Sequence, residues 1–341
     1  IKAKFTTKTS LPFEVQGSVR FPNQAAFHPL EFLKEIIKPL EIYENSMVRE
    51  VKENSVITDK GTITAKHIVV ATHYPFINAP GYYFMRMHQE RSYVVGLTNV
   101  PQIDGLYIDE SNQGFSFRNH KDVLILGGPG HRTGENRYGG YYEKIRRAAK
   151  DFYPNSKEVC HWSAQDCITV DNVPYIGNYS ASTPNLYVAT GFKKWGMSSA
   201  MVSAMIISDK ILGKENPYEE VFTPQRFKVS ASMKKLYEEG KYTTKGLVID
   251  KLKASKKQLE EIKKGQGGII EVEGEKYGVY KDKQGKVYAV SPTCTHLGCQ
   301  LDWNQDELSW DCPCHGSRFD YKGRLITNPA SKNIAVKKIP L

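Results

Sequence analysis

The sequence predicts an α+β protein: a long mixed-sheet portion with few helices, followed by a small all-β module. Three observations carry this. Short alternating runs between Tyr93 and Leu126 read as antiparallel strands, whereas Ile68-Val-Val-Ala71 suits a strand buried on both faces. Asn185 to Thr190 runs as a strand into a turn at Gly191, and a helical stretch from about 197 to 212 follows, ended by Gly213. From Gly265 onward, short alternating runs with turn residues between them suit a β-sandwich. A chain of 341 residues is expected to hold two or three domains.

Taken in order, residues 1–66 read as strands around one helix, Pro29 to Ile37. Residues 67–76 hold the buried strand. Strands are expected at Tyr93 to Leu97, Gly105 to Asp109, Phe115 to Arg118 and Val123 to Leu126. Gly127-Gly-Pro-Gly-His131 contains Pro and precedes no helical pattern, so it reads as a loop between antiparallel strands. A helix follows from Gly139 to Phe152. Residues 225–263 carry helical patterns and basic charge, with a short capped helix starting at Ser255. Strands Gly268 to Glu273, Glu275 to Tyr280 and Lys286 to Val290 close the reading, with Asp282-Lys-Gln-Gly285 as a hairpin turn.

Composition narrows the function. Net charge is +10, and between Gln225 and Lys264 twelve Lys/Arg stand against five Asp/Glu. A solvated linker face is the bland explanation; an acidic redox partner or acidic substrate is the sharper one. No nucleic-acid motif accompanies the charge. No stretch of about eighteen apolar residues exists, so no membrane span is expected. The six cysteines do not form a secreted disulfide scaffold, and Cys160 and Cys167 read as buried small side chains. With no signal peptide visible, a cytoplasmic location is expected. Ile1 is not an initiator Met, and no helix or cap opens the chain, which suggests a fragment or a processed product.

The chemistry concentrates near the C-terminus. Cys294-Thr-His296 is followed, after fifteen intervening residues, by Cys312-Pro-Cys314-His315. Two thiolates and two imidazoles in two short loops are the ligand set of a Rieske centre, where one iron of a [2Fe–2S] cluster takes two Cys and the other two His. Soft thiolates suit sulfide-bridged iron, and neutral imidazoles raise the potential above that of an all-Cys cluster. Such a centre moves single electrons, so a redox role is expected. A structural zinc site is the competing reading of Cys and His pairs.

The two loops, Cys294-Thr-His-Leu-Gly-Cys299 and Cys312-Pro-Cys-His-Gly-Ser317, closely resemble those of Rieske proteins from cytochrome bc complexes. The resemblance implies a disulfide between Cys299 and Cys314 and a hydrogen bond from Ser317 to a bridging sulfide. Many high-potential members carry Tyr where this chain has Phe319, which implies a lower potential here. Ring-hydroxylating Rieske oxygenases usually lack the paired cysteines and need a two-His, one-carboxylate iron site, which no segment here resembles. His296 and His315 are expected to be exposed at the tip of the module, where electrons would enter or leave.

Three segments upstream resemble the C-terminal portion of FAD-dependent oxidoreductases of the D-amino-acid-oxidase and glycine-oxidase type. They are Lys66-His-Ile-Val-Val-Ala71-Thr72-His73, the stretch from Trp162 through Thr169-Val-Asp171-Asn-Val-Pro174-Tyr-Ile-Gly177, and Asn185-Leu-Tyr-Val-Ala-Thr-Gly191-Phe-Lys-Lys-Trp195-Gly196-Met197. The resemblance implies a truncated flavoprotein. Its mixed-sheet substrate domain would comprise 1–66 and 77–184. A remnant of the FAD-binding α/β domain would comprise 67–76 and 185–224. A basic helical linker (225–263) and an all-β Rieske sandwich (264–341) would follow. It also implies that Ala71, Thr72, Gly191, Trp195, Gly196 and Met197 face the flavin, the last from a helix N-terminus suited to its electron-rich end. The Gly-x-Gly-x-x-Gly fingerprint is absent from this sequence. The intact protein is therefore expected to bind FAD and this chain poorly or not at all.

The expected function is an oxidoreductase. A [2Fe–2S] centre would exchange single electrons with a flavin that oxidises a small organic substrate such as an amine or amino acid. A non-catalytic electron-transfer module, with the flavoprotein-like part as docking scaffold, is the alternative. No catalytic acid or base can be assigned. His28, His73, His88 and His131 lie in plausible regions, and Lys193 and Lys194 beside Gly191 are better placed to meet flavin or substrate.

Overall fold

The structure is a computed structural model and describes every residue except 112, 227–236, 238, 239, 243, 253–257 and 341. The chain forms two compact units. The first comprises residues 1–44, 91–130 and 140–164; the second comprises 45–90, 131–139 and 165–341.

The first unit holds most of a five-stranded sheet. Its strands, in spatial order, are Lys157–Thr169, Met87–Thr98, Val123–Arg132, Ser116–His120 and Tyr107–Ile108. Period-2 alternation sends Tyr93, Val95, Leu124 and Leu126 to one buried face, where helix Tyr141–Phe152 packs Ile145 and Ala149 against them. A separate helix, Pro29–Ile36, starts with Pro at its first turn, and the His28 ring accepts from the Glu31 N–H.

Three expectations need correction here. Gly127 to His131 is not a loop: the strand runs on from Val123 to Arg132. Pairing with Ser116–His120 ends at Gly127. Beyond it no described strand pairs on that side, so Pro129 lies in an edge segment, where proline is tolerated. Cys160 is exposed, because it lies on the outer half of the edge strand Lys157–Thr169. Glu273 belongs to a turn rather than a strand: Glu273 and Gly274 have φ of 52° and 78°, the left-handed pair of a two-residue hairpin. The start of the helix expected at Ser255 lies outside the described residues, and its described part is a single 3-10 turn, Leu259–Glu261.

In the second unit, Ile68–Val70 pairs in parallel with Leu186–Thr190, which pairs antiparallel with Tyr175–Asn178. The apolar run at Ile68 thus is the parallel strand that its composition suggested. Gly191 has φ 75°, and a Cβ there would stand 2.3 Å from a Thr169 methyl, so only glycine makes this turn. Helix Gly196–Ile211 follows. Asp171, in the turn between strands Lys157–Thr169 and Tyr175–Asn178, forms a paired ion contact with Arg226 (2.9 and 3.1 Å).

The C-terminal module of this unit is all β. Gln266–Val272, Glu275–Lys281 and Val287–Val290 form one antiparallel sheet. Asp302–Asn304, Ser309–Asp311, Arg318–Asp320 and Leu325–Thr327 form a second. Trp303 and Trp310 face each other across strands with ring centres 4.9 Å apart, and Tyr280 stacks on Trp303 at 5.2 Å. Together with buried Phe319 they form a core from which two loops, 294–299 and 312–317, project.

Candidate iron–sulfur centre

Each loop closes on itself before it presents a ligand. In the first, Cys294 N–H donates to the Cys299 carbonyl and Gly298 N–H to the Cys294 carbonyl. In the second, Cys312 N–H donates to the Ser317 carbonyl and Gly316 N–H to the Cys312 carbonyl. Gly316 has φ 80° and lies against the Gln89 side chain, 2.7 Å from where a Cβ would stand. The Cys299–Cys314 disulfide ties the two loops together, with a Cα separation of 6.7 Å.

The loops bring Cys294, His296, Cys312 and His315 together. Both thiols are buried and hydrogen-bonded to each other. The bond from Cys312 holds the Cys294 thiol below its ordinary value, and the same bond, with burial, pushes the Cys312 thiol up. The imidazole rings stand perpendicular, with centres 5.0 Å apart. Burial pushes the His296 pKa down to about 4, so the ring is neutral, the form that binds metal. Its Nδ1 is buried without a hydrogen-bond partner, which costs free energy unless a metal takes the lone pair.

In type these residues fit a [2Fe–2S] cluster: two sulfur and two nitrogen donors on two loops tied by a disulfide. The Cys312 sulfur also lies within 4.8 Å of both Cys299 and Cys314 sulfurs. Those two are consumed in the disulfide and have no thiolate to offer a metal. Ser317 is fully buried, its hydroxyl interacts with the Cys294 sulfur, and its Oγ accepts from Ala330 N–H at 2.9 Å.

One expectation fails at this site. The histidines are not exposed at a tip: His315 is 1 % exposed and His296 is partly buried. Residues from the flavoprotein-like part of the same unit cover them. Asn78 Oδ1 lies 2.7 Å from His296 Nε2. The Phe84 ring stands edge-on to both imidazoles, at 6.4 and 5.8 Å, and Tyr74 lies 6.4 Å from His315. Gln89 Nε2 donates to the His315 carbonyl (2.7 Å), Gln165 Nε2 to the Gly316 carbonyl (3.0 Å) and Arg132 Nε to the Pro313 carbonyl (3.1 Å). From the Rieske side, Asn328 Nδ2 donates to the Thr72 and Tyr74 carbonyls at 2.8 and 2.7 Å. Sequence reasoning missed this clamp. A signal existed for Gln89, since period-2 counting back from Tyr93 places it on the buried face.

The six residues expected to meet a flavin divide. Ala71, Thr72, Trp195 and Met197 are exposed, Gly196 is half-buried and Gly191 is buried. Ala71 and Thr72 follow the parallel strand, and Trp195, Gly196 and Met197 open the helix after Gly191. A Cβ at Gly196 would meet nothing within 4 Å, and Trp195 gives the helix no side-chain cap. Of the other candidates, His88 pairs with Glu90 at 3.5 Å, and the His73 side chain bonds Gln89.

Residues 2–210 match the family model of FAD dependent oxidoreductases, and residues 254–340 match the Rieske [2Fe-2S] domain. The chain belongs to the FAD dependent oxidoreductase family and carries a Rieske domain after it, which supports FAD and a [2Fe–2S] cluster as its cofactors. Among similar proteins, YhfW of Bacillus subtilis strain 168, a Rieske 2Fe-2S iron-sulfur protein, is 35% identical over 337 residues, 94% of this chain and 66% of that protein. The cytochrome b6-f complex iron-sulfur subunit 1 of a Nostoc species is 45% identical over 49 residues, 14% of this chain and 27% of that one. The chain thus spans just under two thirds of the first relative and about a quarter of the second. Glycine oxidase from Geobacillus kaustophilus superposes with a TM-score of 0.48 at 19% identity, covering 55% of this chain and 53% of that one. No helix among the described residues is long and apolar enough to cross a membrane.

Proposed function

We propose that this chain belongs to an oxidoreductase in which single electrons pass between a [2Fe–2S] centre and an FAD of the complete protein. A small organic substrate, such as an amine or amino acid, would supply the electron pairs. Cys294, His296, Cys312 and His315 would hold the cluster, with Ser317 bonding to its sulfur side. Ala71, Thr72, Gly191, Trp195, Gly196 and Met197 would line one edge of the flavin. When bound, the flavin supplies two-electron chemistry and the cluster one-electron chemistry.

The observation that supports this best is the clamp between the two parts. Ala71 and Thr72, after the parallel strand, are the residues expected beside the flavin, and Asn328 of the Rieske module grips the Thr72 and Tyr74 carbonyls. Gln89 and Gln165 grip the cluster loop in return. A fixed, short path between two redox groups is what such contacts provide. We further propose a cytoplasmic location and a separate redox partner as final acceptor.

Rapid mixing of the full-length protein with candidate amines and amino acids, without oxygen, tests the reading. Bleaching of the flavin band followed by the reduced-cluster EPR signal is expected. A protein that shows cluster bands but never binds flavin would instead be an electron-transfer module.

A further inference from the structure

If His296 Nδ1 held iron, its Nε2 would be the outer ring nitrogen, a natural place for a second molecule to touch. Here that place is filled. Asn78 Oδ1 lies 2.7 Å from His296 Nε2, and an amide oxygen can only accept. Nε2 therefore carries the ring proton, and the lone pair falls on Nδ1, the buried atom that has no protein partner. The ring is oriented from outside, by a residue 218 positions away in sequence. Beside Asn78, the Phe84 ring is edge-on to both imidazoles, and the His315 ring is almost wholly buried.

We propose that Asn78 is a positioning residue for the cluster ligand His296, and that Asn78 and Phe84 close the outer face of the centre. The partner at the histidines is the chain's own segment 72–84, and neither a quinone-like molecule nor a separate redox protein docks there. An external acceptor would have to be served from another surface. The inference rests on the Rieske reading of the four ligands, and its test separates the two.

The probe is diethyl pyrocarbonate, which acylates accessible imidazole nitrogen, applied to the cluster-loaded chain with peptide mass spectrometry as readout. The unaltered chain, Asn78→Ala and Asn78→Asp are compared, the last keeping an acceptor oxygen. His296 should be resistant in the unaltered chain and in Asn78→Asp, and should label about fivefold faster or more in Asn78→Ala, the loss of one hydrogen bond. Nitrogen hyperfine couplings of the reduced centre should change in the Ala variant and be restored in the Asp variant. Loss of the centre from the Ala variant alone also supports the proposal. Equal labelling in all three, or loss of the centre from the Asp variant as well, overturns it. If the unaltered chain holds no iron, the Rieske reading itself fails.

Discussion

Gln89 donates a 2.7 Å hydrogen bond from Nε2 to the backbone carbonyl of His315. Its Oε1 accepts from Gln165, whose amide also reaches the Gly316 carbonyl. Both glutamines hold the backbone of the loop that carries two of the four ligands. Gln89→Leu leaves buried partners unsatisfied, at about 1–3 kcal/mol. The expected outcome is a lower melting point of the visible cluster band and faster loss of iron to a chelator.

The disulfide should matter to the same loops. Cys299 and Cys314 are 15 residues apart, and closing a loop of that length stabilises by about 3 kcal/mol in the chain-entropy picture. Replacing both by Ser should therefore leave a chain that loses its cluster at much lower denaturant concentration, followed by absorbance in a urea titration.

Two side chains should tune the potential in opposite directions. The Ser317 hydroxyl interacts with the Cys294 sulfur, and a hydrogen bond to sulfur stabilises the reduced, more negative centre. At about 1 kcal/mol for one bond, Ser317→Ala should lower the potential by on the order of 40 mV. Phe319, in the same core, lacks the hydroxyl that a Tyr would bring. Phe319→Tyr should raise it by a similar amount if the new hydroxyl reaches a sulfur ligand. A redox titration followed by EPR measures both.

Asp171 makes stability depend on pH. Burial alone would raise its pKa, but the Arg226 guanidinium and the Val173 N–H more than offset this, so the folded value is depressed. A depressed carboxylate contributes stability above its unfolded pKa of about 3.9 and loses it as pH falls through the folded value. Asp171→Asn should thus cost about 1–3 kcal/mol at neutral pH, where the part-buried pair is intact. The difference in melting temperature between variant and unaltered chain should shrink as pH drops below the unfolded value of about 3.9.

The Rieske module was legible because types and spacing had to agree at Cys294, His296, Cys312 and His315 at once. The parallel strand at Ile68 was legible from its apolar run, and the helix after Gly191 from the glycine that only a left-handed turn explains. The environment of the histidines was not. Asn78, Phe84 and Gln165 lie 151 to 231 positions before the residues they meet in the two loops, and nothing local in a loop asparagine announces a contact at such a distance. Pro129 misled in the opposite sense: proline marks a loop on average, yet beside an unpaired edge it leaves a strand intact.

The central claim is that two sulfur and two nitrogen donors from this chain grip a [2Fe–2S] cluster. Iron and acid-labile sulfide analysis of anaerobically purified chain, together with EPR of its dithionite-reduced form, tests that most directly. The account predicts about two irons and two sulfides per chain and a signal carrying nitrogen hyperfine coupling that His296→Cys and His315→Cys each alter. Colourless protein with zinc or no metal at the four ligands would contradict it.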